Sequence, residues 1–273
     1  MRLVRLPLLF LAFFLLWVPV SGQSPYRILV TNDDGVRAPG LDALVQALAS
    51  VGEVTVVAPA ENQSGKGHSI TITDPVYVDE VTLASGVVAL GLTATPATCV
   101  KLGVLALMKE RPHLVVSGIN RGVNSGRVAY VSGTVGAARE GAIHGIPSIA
   151  SSMDITGGWS DYAAAAKFTA QVAALVKRNG LPAGVFLNVN VPARTPKGLR
   201  VTAQSMEAGH ETWVEHKNPR GRRYFWSDYR EPEKDGNLTT DVAALAEGYV
   251  AVTPLRATEY DRSTANRLKA LIK

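Results

Sequence analysis

Short runs of β-branched and apolar residues alternate along this chain with stretches whose apolar positions recur every three or four residues. Arg27-Ile28-Leu29-Val30-Thr31 has the pattern of a buried strand, and Leu41, Leu44, Val45 and Leu48 share one face of a helix predicted over Pro39 to Ala49. Glu53 to Ala58 reads as a second strand stopped by Pro59, and Ile70 to Leu92 as an inserted hairpin with turns at Asp74-Pro75 and Ser85-Gly86. A helix from Ala97 to Met108 opens at Thr95-Pro96, proline being favoured in a first turn. Leu114 to Ser117, Val135 to Ile143, Ser148 to Ser151, Asp161 to Asn179 and Val185 to Val191 continue as strand, helix, strand, helix and strand. In the longest helix Phe168, Val172, Leu175 and Val176 mark the apolar side, and Gly180 ends it. This alternation predicts an α/β fold, Rossmann-like and three-layered, with a mostly parallel sheet.

Two regions stand outside the alternation. Val201 to Trp226 is polar, β-rich and aromatic, with Trp213, Tyr224, Phe225 and Trp226, and predicts a protruding hairpin arm over about 201–236. Aromatic residues on such an arm mark an oligomer contact. At the other end, Arg2 and Arg5 precede an apolar run from Leu6 to Val20 and the small residues Ser21-Gly22. That is the layout of a secretory signal, cut after Gly22, and it is shorter than the ~20 residues that span a bilayer. The expectation is a secreted or periplasmic protein with no stable membrane anchor, its residues 23–273 forming a single domain. Removing Arg2 and Arg5 lowers the formal charge of +5 by two, to a weakly positive balance with no basic run, so nucleic acid is not an expected partner. The lone Cys99 cannot form an internal disulfide.

The first strand stops at Asn32-Asp33-Asp34-Gly35. In an open α/β sheet, ligands bind outside the carboxyl ends of the strands. Two adjacent carboxylates there either close an ordinary Asp-Gly turn or hold a hard cation such as Mg²⁺ or Mn²⁺, which commonly brings a phosphate with it. Two more loops fall on the same edge, Glu61-Asn62-Gln63-Ser64-Gly65 and Ser117-Gly118-Ile119-Asn120, each with neutral oxygen donors suited to such an ion. Ser132-Gly133-Thr134-Val135-Gly136 reads as a helix N-terminus, whose free N–H groups attract anions.

These residues resemble the SurE (survival protein) nucleotidases over roughly Arg27 to Leu255. The resemblance is carried by Asn32-Asp33-Asp34-Gly35 with Ala38-Pro39-Gly40, Val57-Ala58-Pro59 through Ser64-Gly65, Ser117-Gly118-Ile119-Asn120, Asn124 and Ser132-Gly133-Thr134-Val135. Leu187-Asn188-Val189-Asn190-Val191-Pro192, Thr240-Asp241-Val242-Ala243-Ala244-Leu245, Gly248-Tyr249-Val250 and Thr253-Pro254-Leu255 extend it. It implies a 5'-nucleotidase that hydrolyses nucleoside monophosphates, with one divalent cation (Mg²⁺ or Mn²⁺) on Asp33, Asp34, Ser64 and Asn120. Asn124 and Ser132-Gly133-Thr134 are implied to hold the phosphate. Asp33 and Asp34 are the catalytic candidates, with Asp33 the expected acceptor of the water's proton. A homodimer or homotetramer, built through the arm and the tail after Leu255, and a cytoplasmic location are likewise implied by the resemblance. The chain departs from the pattern at Arg127 and Val128, where acidic residues are usual, at Val131 with tyrosine displaced to Tyr130, and at Thr98. The alternatives are a secreted metal-nucleotide binder with little turnover and a broader acid phosphatase or exopolyphosphatase. A haloacid-dehalogenase phosphatase needs Asp-x-Asp after the strand, and Asn32 breaks that spacing. Gly-x-Gly-x-x-Gly, Gly-x-Ser-x-Gly and His-Glu-x-x-His are absent, and His68, His113, His144, His210 and His216 have no metal-ligand spacing.

Overall fold

The structure, a computed structural model, describes residues 24–207, 209–230 and 239–272. The signal-like segment 1–22 and the arm beyond Arg230 lie outside the described residues. In chain order the elements are β1 (Arg27–Thr31), α1 (Pro39–Leu48), β2 (Glu53–Pro59), β3 (Val78–Thr82), β4 (Val88–Leu92) and α2 (Pro96–Leu102). They continue as β5 (Leu114–Arg121), α3 (Gly133–Ile143), β6 (Ser148–Met153), α4 (Tyr162–Asn179), β7 (Val185–Val191) and β8 (Leu199–Val201). The last are β9 (His210–Lys217), β10 (Arg223–Arg230), α5 (Asp241–Ala246), β11 (Val250–Arg256) and α6 (Arg262–Leu271).

Nine strands form one sheet in the order β3-β4-β2-β1-β5-β6-β7-β11-β8, and β9 with β10 makes a separate hairpin. Only β3 against β4 and β7 against β11 run antiparallel within the large sheet. Central β1 shows why the sheet is covered on both faces. Ile28 and Val30 pack with Leu41 and Leu44 of α1 on one side, while Leu29 packs with Cys99, Val100 and Ala137 of α2 and α3 on the other. An unbroken apolar strand needs both layers. The predicted three-layer α/β architecture is therefore the one observed.

Several details differ from the sequence pattern. Helix α2 is regular only to Leu102, and Gly103–Leu107 continues as a wider turn in which the Met108 N–H reaches the Gly103 carbonyl. Ile70 to Tyr77 is a loop, not a strand, held by side chains: the Thr71 N–H donates to Thr98 Oγ1 at 2.8 Å and the Thr95 N–H to Thr71 Oγ1 at 3.1 Å. Thr98, a departure from the resembled family, thus carries a structural bond. In α4 the buried stripe is Ala165, Ala166, Thr169, Val172, Ala173 and Val176, and Leu175 is exposed. Small side chains let α4 lie close on α1, where a leucine-width stripe would hold it off. Val201 belongs to the large sheet, in register with Val252, so the paired strands of the arm begin only at His210. Strands β5 and β6 run on to Arg121 and Met153, past a shift in register between Ser117 and Asn120. That extension carries Asn120 out to the strand edge.

Gly40, in the first turn of α1, has no room for a side chain: a Cβ there would collide with the Ile119 carbonyl and come 2.9 Å from the Tyr162 ring. Gly40→Ala is expected to cost about 1–3 kcal/mol, as overpacking does. The check is a lowered midpoint in chemical denaturation; an unchanged midpoint would refute the close seating of α1 on β5.

Candidate active site

Asp33 and Asp34 leave β1 on a turn that the local sequence builds. Asn32 Nδ2 donates to the Gly35 carbonyl at 2.8 Å, and Gly35 takes φ 103°, a conformation that glycine reaches without steric cost. The Val36 N–H then donates to the Pro59 carbonyl at the end of β2 (2.7 Å). The two carboxylates are held differently. Asp33 is 97% shielded, with Oδ1 accepting a hydrogen bond from the Thr134 hydroxyl of α3. Asp34 Oδ2 accepts from the Arg121 N–H at 2.9 Å, at the end of β5. Asp33 also receives the Thr134 backbone N–H, whereas the Arg121 N–H is the hydrogen bond on Asp34 among the described residues. Burial pushes Asp33 up to about 6, opposed by the Thr134 hydrogen bond and reinforced by the Asp34 charge. Burial raises Asp34 as well, opposed by the Arg121 N–H and guanidinium. Among the described residues neither carboxylate is in an ion pair.

The structure draws the other sequence candidates toward this pair. The Gln63 N–H donates to the Asp33 carbonyl at 2.7 Å, which brings in the loop carrying Ser64; the Ser64 N–H is turned onto Asn62 Oδ1. Asn120 precedes Arg121, and its Nδ2 is committed to the Gly122 carbonyl at 2.7 Å, so its Oδ1 is the oxygen left to offer. Helix α3 begins against Asp33: a Cβ on Gly133 would lie 2.9 Å from Asp33 Cβ and 3.0 Å from its Oδ2. The Ser132 side chain accepts from the Val135 N–H at 3.1 Å, as an N-cap does, and the Thr134 hydroxyl is spent on Asp33. Of the three loop residues, then, Thr134 is spent on Asp33 through its hydroxyl and backbone N–H, while the Ser132 hydroxyl, which only accepts in its cap, keeps its own hydrogen to donate. Asn124 is buried: its N–H donates to Asn190 Oδ1, its Nδ2 to Ser152 Oγ, and its carbonyl accepts from Asn188 Nδ2, at 2.7–2.8 Å.

Sequence reasoning missed two supports. One is that amide cluster, Asn188 and Asn190 on β7 with Ser152 on β6, which fixes Asn124. Two polar asparagines within an otherwise apolar buried strand were the available signal. The other is Glu140 on α3, whose carboxylate meets His68 at 2.8 Å and His144 at 3.1 Å, with Lys101 at 3.8 Å. The His68 hydrogen bond, more than any other influence, holds Glu140 below the usual carboxylate range. Together with the Gly67 N–H on the Val131 carbonyl (3.0 Å), His68 ties the Ser64 loop to α3. Gly136 permits this approach, since a Cβ there would collide with the Gly67 carbonyl. His68 reaches Glu140 through tertiary contact, which the chain spacing does not show, whereas His144 stands four residues after Glu140, a local helical spacing that could have been read. Cys99 is buried, and burial pushes its thiol up.

Among the described residues no group of three or more histidine, cysteine or acidic side chains is placed to hold a metal ion. The hard donors at this edge are two carboxylates and neutral oxygens. Comparison with known proteins agrees with the motifs. A model of the family described as "Survival protein SurE" matches residues 28–211. A protein of Moorella thermoacetica named 5'-nucleotidase SurE is 46% identical over 84% of this chain and 89% of its own length. One of the same name from Chloroflexus aggregans is 44% identical over 84% of this chain and 92% of its own. The crystal structure of the SurE protein from Aquifex aeolicus superposes with a TM-score of 0.78 at 38% identity, covering 90% of this chain and all of that one. By sequence and by fold alike, the chain belongs to the SurE survival-protein family.

Proposed function

We propose that the chain is a 5'-nucleotidase, hydrolysing nucleoside monophosphates to nucleoside and inorganic phosphate with one divalent cation, Mg²⁺ or Mn²⁺. The names of its relatives support the substrate class. The observation that carries the reading is an adjacent carboxylate pair, Asp33 buried against the N-terminus of α3 and Asp34 half-buried at the end of β5. Burying Asp33 with no cationic side chain in an ion pair with it among the described residues is costly, and a bound cation offsets that cost. The donors fit a hard ion: Asp33, Asp34, Asn120 through Oδ1, and the Ser64 hydroxyl would hold it. When bound, such an ion supplies Lewis-acid polarisation of the phosphoryl group.

The remaining work falls to the chain's own groups. The Gly133 N–H at the start of α3 and the second hydrogen of Asn124 Nδ2, the first being given to Ser152 Oγ, bind the phosphate, the helix end favouring its negative charge. Asp33 Oδ2, beside Gly133, takes the proton of the attacking water as general base. The Thr134 hydroxyl on Oδ1 fixes which oxygen does so. The His68–Glu140 tie keeps the Ser64 loop in place.

We further propose a homodimer or homotetramer of exported chains. Trp213 and Trp226 on the arm are 63% and 69% exposed, and α6 buries none of its residues, leaving Leu271 exposed as well. Apolar surface of this kind is stable in water when a second copy covers it. Export rests on the Arg2/Arg5 start and the Leu6 to Val20 run.

Asp34→Asn is expected to abolish metal-dependent phosphate release from nucleoside monophosphates and to weaken Mn²⁺ binding by calorimetry, with an unchanged circular dichroism spectrum. Near-wild-type turnover in that variant would sink the cation assignment, and wild-type cation binding without phosphate release would favour a binding protein instead. Asp33 gives a pH test. Its folded-state pKa is raised, so its contribution to stability is fully present below the ordinary aspartate range and lost as pH rises through about 6. In the presence of a chelator, Asp33→Asn should therefore gain thermal stability relative to wild type between pH 5 and pH 7; no change in that difference would argue against the burial. Light scattering and intact mass of natively produced protein test assembly and export together. A monomer at micromolar concentration refutes the first, and a chain still beginning at Met1 refutes the second.

A further inference from the structure

Next to the phosphate-binding turn lies a cavity of about 730 Å³, lined by Arg127, Tyr130, Val131, Met206, Glu211 and Tyr229 among others. One wall is the single-turn helix Gly126–Tyr130, and the other is the base of the hairpin arm. Val131 joins that turn directly to Ser132, the cap of α3. At a rise of about 2 Å per residue the cavity begins within roughly 10 Å of the phosphate turn, the span of a nucleotide. Its size and its mixture of aromatic rings, a thioether and a few charges suit a nucleoside.

The wall is rigid where it matters. The Gly126 N–H donates to Asp241 Oδ2 at 2.8 Å, and its carbonyl accepts from Gln204 Nε2 at 2.8 Å. Gly126 has φ 56°, and the fully buried Asp241 also accepts from the Ser205 N–H at 2.9 Å. The backbone of Arg127 is thus fixed while its side chain stays exposed, with no ion pair among the described residues. The acid facing the same cavity, Glu211, stands on the arm and accepts from Ser227 Oγ. It disfavours a second anion on its own side and leaves the Arg127 side for one.

We infer that this cavity receives the leaving-group side of the substrate, and that Arg127 there selects nucleotides carrying a second phosphate over simple monophosphates. The inference rests on the phosphatase reading above. Water attacks the phosphorus at the Asp33/Asp34 edge, the bond to the leaving oxygen breaks, that oxygen takes a proton, and inorganic phosphate and a nucleoside monophosphate leave. A guanidinium gives bidentate, charge-assisted hydrogen bonds to the phosphate that stays behind.

The test compares kcat/KM for AMP, ADP and adenosine 3',5'-bisphosphate in wild type, Arg127→Gln and Arg127→Glu, with Mn²⁺ present. Wild type should prefer at least one doubly phosphorylated substrate about tenfold over AMP, chiefly through KM. Arg127→Gln should lower that ratio about tenfold, and Arg127→Glu should lower it further. Which of the two substrates responds tells whether the second phosphate sits on the 5' chain or on the ribose. Equal effects on all three substrates, or none, would overturn the assignment. Calorimetric titration of the same nucleotides into Asp34→Asn, with and without Arg127→Gln, reads the subsite without turnover. If wild type releases no phosphate from any of them, the phosphatase reading fails; an Arg127-independent affinity in this titration fails the subsite alone.

Discussion

The arrangement depends on one constraint: a carboxylate, Asp33, is buried at the end of the central strand without a cationic side chain beside it. The cost of that burial explains what surrounds it. A hydroxyl from α3 and a backbone N–H from the β2 loop both come to Asp33, so three separate segments of the chain meet at one residue. The raised proton affinity of Asp33 expresses the same cost. A buried, proton-retaining carboxylate of this kind is a common mark of functional sites.

Close backbone approach makes the meeting possible. Gly133 admits α3 to Asp33, Gly136 admits the Ser64 loop to α3, and Gly40 admits α1 to the end of β5. At each place a methyl group would push apart two elements that the site needs together. The amide cluster around Asn124 and the acid–histidine cluster around Glu140 then lock the positions that the small residues allow. Packing and polar bonding thus act in sequence, the first granting access and the second fixing register.

The arm and tail follow another logic. Every residue of β9 and β10 is exposed, and the hairpin holds itself by its own ladder and by cross-strand pairs such as Arg223 with Glu215 (2.6 Å). An isolated two-stranded ribbon is marginal in water. Its base also closes one side of the cavity near the phosphate turn, so any contact that orders the arm also shapes that cavity.

By itself the sequence determined the order of elements, the mostly parallel sheet and the strand edge on which the candidate residues gather. Apolar periodicity and short polar breaks are local properties, and Ile28 to Val30 or Leu41 to Leu48 carry them in any context. Asp33, Asp34, Ser64, Asn120 and Ser132 to Thr134 were legible because each stands where a strand or helix ends. Tertiary structure alone decided what those side chains are free to do. The Thr134 hydroxyl donates to Asp33, whereas that of Ser132 accepts from its own helix and keeps its hydrogen to donate. It also decided that Leu175 lies outside the helix contact, that Val201 joins the large sheet, and that His68 comes to Glu140. The contacts of Thr134 with Asp33 and of His68 with Glu140 bring groups to about 3 Å across 70 or more residues of chain, and no local pattern encodes that distance.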